Sequence, residues 1–162
     1  MQMQTGRRIV HGFTKTVTEG DHSLFCALTW NPQPLHANKP LAEAQGHDGV
    51  LVNGMYTLSL TLGASVYDLT MQGLVANLSI DEVSYSKPVK IGDTLSFETE
   101  IEQCRRSNSR PGQSIVSFRH FCLNQDGHLV MSCRRSTLMK GVERESRPVE
   151  CLVNSFDHAF EI

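Results

Sequence analysis

Residues 54–67, GMYTLSLTLGASVY, constrain the fold more than any other stretch of the chain. Met55, Leu58, Leu60, Leu62, Ala64 and Val66 fall all round a helical period, interrupted only by the hydroxyls of Thr57, Ser59, Thr61 and Ser65. A helix apolar on nearly every side belongs in an interior, so other elements must wrap it. The stretch is too short and too rich in hydroxyls to span a bilayer.

The second half of the chain supplies the wrapping. Runs at 74–86, 94–104, 113–124 and 128–139 alternate with period two and predict four long strands. Gly92-Asp93 and Asp126-Gly127 mark turns between them, because glycine accepts positive φ. A further strand is expected near Arg8 to Thr16. Thr18 is placed to cap a helix through residue 29, with Leu24, Phe25 and Leu28 on one face. Asn38 is placed to cap a second helix, with Pro40 in its first turn. The simplest architecture is α+β: a strongly curved antiparallel sheet around one central helix. At 162 residues the chain fits one domain over about 1–140. The weakly periodic stretch 141–162 is expected to be a tail.

Composition excludes several partners. Fifteen basic against seventeen acidic residues give a formal charge of −2 with no basic face, which argues against nucleic acid. Five scattered cysteines, none in a CxxC pair, fit reduced buried thiols rather than a disulfide framework or a zinc site. The N-terminus has no apolar signal core, so the expectation is a cytoplasmic protein without membrane attachment.

Three segments could carry chemistry. In TWNPQPLHAN, residues 29–38, Pro32 and Pro34 brace a loop that ends on His36, a setting suited to a side chain with a fixed aim. In VNG, residues 52–54, the mouth of the central helix presents unpaired N–H groups, and Gly54 would let a ligand oxygen approach closely. In RRSNSRPG, residues 105–112, three arginines and two serines form an anion-binding candidate. Each has an ordinary reading when taken alone: a solvated or capping histidine, an Asn N-cap, and a solvated hairpin. Arg134 and Arg135 are adjacent on a strand and point to opposite faces, so only one could join such a site. The remaining histidines lack metal-like spacing.

In combination the segments FCALTWNPQPLH (25–36), NGMYTLSL (53–60) and KPVKIGDTL (87–95) resemble the MaoC-like dehydratases, the (R)-specific enoyl-CoA hydratase family. The family pattern reads roughly F-A-x-L-T-G-D-x-N-P-L-H, then H-G-M-x-x-S-L, then P-V-x-x-G-D-T-L. The resemblance implies a hot-dog fold completed by homodimerisation, or a higher oligomer. It implies reversible hydration of an α,β-unsaturated acyl-CoA, with CoA entering as part of the substrate and no separate cofactor. Carried over, His36 is the acid/base and Gly54 the main-chain donor to the thioester. Asn31 stands at the family's aspartate and Asn53 at its usual histidine. An amide can hold water but cannot take its proton at neutral pH.

The form T-x-N-x-Q-P-L-H resembles the mesaconyl-CoA, itaconyl-CoA and methylmalyl-CoA branch of the family. A short branched dicarboxylic acyl-CoA is therefore the implied substrate, contacted by Gln33, Asn53, Arg105, Arg106, Ser109 and Arg110. Two other readings stay open: a hot-dog acyl-CoA thioesterase, and a catalytically silent acyl-CoA-binding subunit.

Overall fold

A computed structural model describes residues 3–142. The expected tail lies outside the described residues beyond Val142. Five antiparallel strands, β1 (Arg8–Thr16), β2 (Leu74–Tyr85), β3 (Thr94–Arg106), β4 (Gln113–Leu123) and β5 (Leu129–Lys140), form one sheet in the order β1-β3-β4-β5-β2. The helices are α1 (Glu19–Leu28), α2 (Lys39–Ala44) and α3 (Gly54–Ser65), with a 3-10 turn at Pro34–His36 before α2. None is long and apolar enough to cross a membrane among the described residues. The caps expected from sequence are present: Thr18 accepts from the Asp21 N–H and Asn38 from the Leu41 N–H. No disulfide joins Cys26, Cys104, Cys122 and Cys133, all buried.

The core fills the concave face of the sheet. Leu95, Phe97, Cys122, Met131 and Cys133 pack with Leu58 and Tyr56 of α3. A second cluster, built on Ile101, Val116, Phe118 and Met139, closes over Leu69 beyond the helix end.

The central helix differs from its sequence expectation in one respect. It is not enclosed all round: Met55 is 56% exposed, and Ser59 and Gly63 also face outward. The face turned to the sheet is largely the hydroxyl face, with Thr57, Thr61 and Ser65 buried beside Leu58. Thr61 donates to the Thr57 carbonyl at 2.8 Å and Ser65 to the Leu62 carbonyl at 2.7 Å, so burial leaves neither group unpaired. These short side chains let the helix axis sit close within the curve of the sheet.

Helix α1 departs similarly. His22 and Cys26 face inward, while Leu24 and Leu28 are exposed, the latter at 72%. The inward face is the one that meets the start of α3, where Phe25 also stacks on Tyr56 at 5.2 Å between ring centres.

After Ser65 the helix widens into one π turn, Val66–Thr70, closed by the Met71 N–H on the Val66 carbonyl. From this turn Asp68 reaches His11 Nδ1 at 2.6 Å, His11 Nε2 meets Thr99 Oγ1 at 2.8 Å, and Thr99 Oγ1 meets His120 Nδ1 at 2.8 Å. The chain ends at His120 Nε2, which is buried without a partner among the described residues. Burial, then Arg135 and His11, push the His120 pKa down to about 3, so this imidazole is neutral.

On β5, Arg134 and Arg135 do point to opposite faces. Arg134 joins Arg119, Glu82 and Glu102 on the convex side, whereas Arg135 is buried on Asn77 Oδ1.

Candidate active site

The proline loop begins where α1 stops. The Asn31 N–H bonds the Cys26 carbonyl at 3.0 Å and the Trp30 N–H the Ala27 carbonyl at 3.3 Å, the paired bonds of a Schellman ending. That ending puts its middle residue in the left-handed region, and here the residue is Trp30, with φ of 53° and 91% exposure. The next side chain turns back on the loop. Asn31 Oδ1 accepts the Gln33 N–H at 3.0 Å, an Asx turn that fixes the amide's orientation and leaves its NH2 group as the outward donor. Gln33 itself is exposed at the start of the 3-10 turn.

His36, half-buried at the end of that turn, bonds the Leu51 carbonyl through Nδ1 at 2.8 Å. A carbonyl only accepts, so Nδ1 carries the proton. In the neutral ring Nε2 is then an unprotonated acceptor, the form a general base requires. His36 lines a cavity of about 460 Å³ with His22, Ser23, Lys39, Gly49 and Lys90.

Leu51 also begins the segment that delivers the second group. Leu51 bridges Lys90, and the Val52 N–H bonds the Val89 carbonyl at 2.9 Å, so 51–52 is pinned to the run entering β3. Asn53 then caps α3, its Oδ1 accepting the Met55 N–H at 2.9 Å. The Gly54 N–H, next in line, has no acceptor among the described residues. Three residues span at most about 10 Å, which bounds the distance from the His36 anchor to this donor. A β-carbon on Gly54 would lie 2.8 Å from Cε1 and Cζ of Tyr85, so any larger residue must displace that ring.

Two side chains at the site escaped the sequence reading. Tyr85 is one, at the far end of β2. His22 is the other. It is buried, its Nε2 accepts the Asn53 main-chain N–H at 2.9 Å, and its ring meets that of His36 edge-on at 5.7 Å. Burial, and then His36, lower its pKa.

The residues singled out from sequence do not all meet. His36, Asn53 and Gly54 are joined through the segment 51–54, while Asn31 and Gln33 lie on the loop that leads to His36. Asn53 is 4% exposed with its carbonyl oxygen committed to the cap, so it builds the helix end and does not face the cavity. Arg105, Arg106, Ser109 and Arg110 are elsewhere. The His36 cavity adjoins Lys90 and Ile91, just before β3 begins at Thr94, whereas the arginines sit where β3 ends at Arg106. Thirteen strand residues extend roughly 40 Å, so within one chain the hairpin and the cavity lie at opposite ends of the sheet. The cations that line the cavity are Lys39 and Lys90, the latter paired with Asp48 at 2.9 Å.

Comparison with known proteins agrees with this architecture. The family model described as "MaoC like domain" matches residues 1–117. Mesaconyl-CoA hydratase of Cereibacter sphaeroides is 31% identical over 135 residues, covering 83% of this chain and 39% of that protein. Beta-methylmalyl-CoA dehydratase of Chloroflexus aurantiacus is 26% identical over 136 residues, covering 83% of this chain and 38% of that protein. The chain thus spans about two fifths of the length of these two relatives. A conserved hypothetical protein of Mycobacterium tuberculosis with a double hot-dog fold superposes with a TM-score of 0.77 at 21% identity, over 90% of this chain and 44% of that one. The wrapped helix of residues 54–65 is therefore the centre of a hot-dog fold, and the chain belongs to the MaoC-like domain family.

Proposed function

We propose that this chain adds water reversibly to an α,β-unsaturated acyl-CoA thioester, and that a short branched dicarboxylic ester such as mesaconyl-CoA is its substrate. The observation that carries the reading is the arrangement about residues 51–54: His36 is held by the Leu51 carbonyl with Nε2 left as a base, and three residues on the Gly54 N–H has no acceptor among the described residues. The relatives named for hydration and dehydration of such esters support the same choice.

In this reading the Gly54 N–H donates to the thioester oxygen, which makes the β-carbon electrophilic and takes up charge as the enolate forms. His36 Nε2 removes a proton from water as its oxygen bonds the β-carbon, and the imidazolium returns that proton to the α-carbon. Asn31 cannot act as a second base. Its outward NH2 group donates to the water, or to the hydroxyl of the product, and orients it. The reaction is redox-neutral, and CoA enters only as part of the substrate. Lys39 and Lys90 are placed to meet anionic groups at the cavity. Arg105, Arg106, Ser109 and Arg110 would reach CoA phosphates or the free carboxylate only from a second copy.

We place that copy along β2. It is the sheet edge opposite β1, twelve residues long, and Val75, Leu78 and Ile80 are exposed along it. An open apolar edge of this length is a template for pairing. A homodimer would then set two hot dogs side by side, and the proposed setting is the cytoplasm.

The test is loss of enoyl absorbance with mesaconyl-CoA, itaconyl-CoA and crotonyl-CoA. Wild-type protein should turn over at least one, and His36→Ala should lose about 10²–10⁴-fold while keeping its thermal midpoint. Release of free thiol without loss of the double bond would turn the reading to thioester hydrolysis. Binding of all three esters without turnover would make the chain a silent binding subunit.

A further inference from the structure

We propose that His22 is a positioning residue of this site: by accepting the Asn53 main-chain N–H it fixes the Val52–Asn53 peptide, the unit next to the one that carries the Gly54 N–H, and so holds the Gly54 donor in register with His36. The inference rests on the reading of Gly54 as the thioester donor and adds a residue to it.

The geometry is specific. A main-chain N–H donates and cannot be reversed, so the 2.9 Å contact from Asn53 requires a lone pair on His22 Nε2. The Cys26 Sγ, 3.5 Å from the same nitrogen, fits the same polarity through its S–H. The ring proton therefore sits on Nδ1, and His22 is neutral in the working enzyme. A protonated ring would turn an N–H toward Asn53 and set donor against donor.

The segment 51–53 is thus gripped twice, with opposite polarity. His36 donates to its first carbonyl and His22 accepts from its last N–H. The two rings also pack edge to face at 5.7 Å, and His22 contacts Tyr56 on the first turn of α3 at 6.3 Å. Base, main-chain donor and clamp therefore share one short peptide frame. Asn53 is itself buried, so its N–H needs an acceptor there whatever the chemistry. The experiment must separate that structural need from aim.

Three substitutions do so. His22→Leu keeps volume and loses the acceptor. His22→Asn keeps polarity but is too short to reach Asn53, and it serves if the Leu variant does not fold. His22→Gln places an amide oxygen near the position of Nε2. Removing an oxyanion donor outright costs about 10²–10³-fold. Misaiming it should lower kcat for crotonyl-CoA by about 10–100-fold in Leu or Asn, with KM moving less than about threefold, and Gln should recover most of the loss. An unchanged kcat per folded molecule in Leu and Asn overturns the proposal, as does a Gln variant no better than either.

Nitrogen NMR of wild-type protein gives an independent readout. His22 Nε2 should show the unprotonated, hydrogen-bonded shift, and acetyl-CoA should move the Gly54 amide in wild type and Gln but not in Leu or Asn. A protonated Nε2, or an equal Gly54 response in all four proteins, also overturns it. If wild type turns over no enoyl ester, the hydration reading falls, and these amide responses alone decide the role of His22.

Discussion

The two ends of α3 each carry a pair of imidazoles, built in opposite ways. Beyond the C-terminal end, Asp68, His11 and Thr99 line up at 2.6 and 2.8 Å, the spacing of a carboxylate–histidine–hydroxyl triad, with His120 behind. At the N-terminal end no carboxylate among the described residues backs His36; a main-chain carbonyl holds it instead. Yet the first set is closed. Thr99 is fully buried, and its hydroxyl is shared between two rings. His36 keeps a lone pair with no partner among the described residues, beside a cavity. Triad spacing is thus not enough to make a site: a reactive group needs an unspent valence and room for a ligand.

If that contrast holds, the ends should respond to different measurements. The largest effect concerns pH and the closed end. His120 is held near 3 when folded, against 6.5 for an ordinary histidine. The unfolded chain therefore binds a proton below pH 6.5 that the folded chain refuses. Stability from this group is complete above 6.5 and drains away as the pH falls toward 3, on the order of 5 kcal/mol in all. Urea titrations of wild type and His120→Gln at pH 7, 6, 5 and 4 should show a slope shallower by about one proton in the variant. Equal slopes would mean that His120 titrates freely.

Next comes the open end. Gly54→Ala should push the Tyr85 ring or the helix mouth aside and cost about 10²–10³-fold in turnover, read as kcat on the best enoyl ester. Thr99→Val is smaller and acts on the other observable. It strands two ring nitrogens and should cost about 1–3 kcal/mol in chemical denaturation, with kcat per folded molecule unchanged. A kcat loss in Thr99→Val without destabilisation would erase the distinction between the ends. The smallest effect is at Trp30. Glycine there relieves a left-handed residue that is 91% exposed among the described residues, and should raise stability by about 0.5–1 kcal/mol in a thermal melt.

The sequence was legible where periodicity and punctuation carry the signal. The period-two runs and the glycine turns mark the strands, and Thr18 and Asn38 mark the helix starts. The braced loop at 29–38 and the helix mouth at 52–54 are local features, so both could be read before any fold was known. What could not be read depends on distance in sequence. His22 lies on a helix whose Leu24, Phe25 and Leu28 make a more obvious apolar face, and its partner is 31 residues away. The arginine hairpin looked like part of the site because composition reports charge, not which end of a strand carries it. Trp30, standing where the family pattern has glycine, was passed over, because its left-handed φ becomes apparent only once the Schellman ending is drawn.

The hydroxyl face of α3 carries a consequence for how this interior tolerates change. Ser65 bonds a carbonyl of its own helix, and Thr61 does the same while also meeting the Cys122 thiol of β4 across the seam. Removing the Ser65 hydroxyl would strand no donor in the opposing strands, and removing that of Thr61 would cost only a weak thiol contact, whereas added bulk would press on a seam lined by buried residues such as Phe97 and Cys122. The seam therefore filters substitutions by bulk more sharply than by polarity.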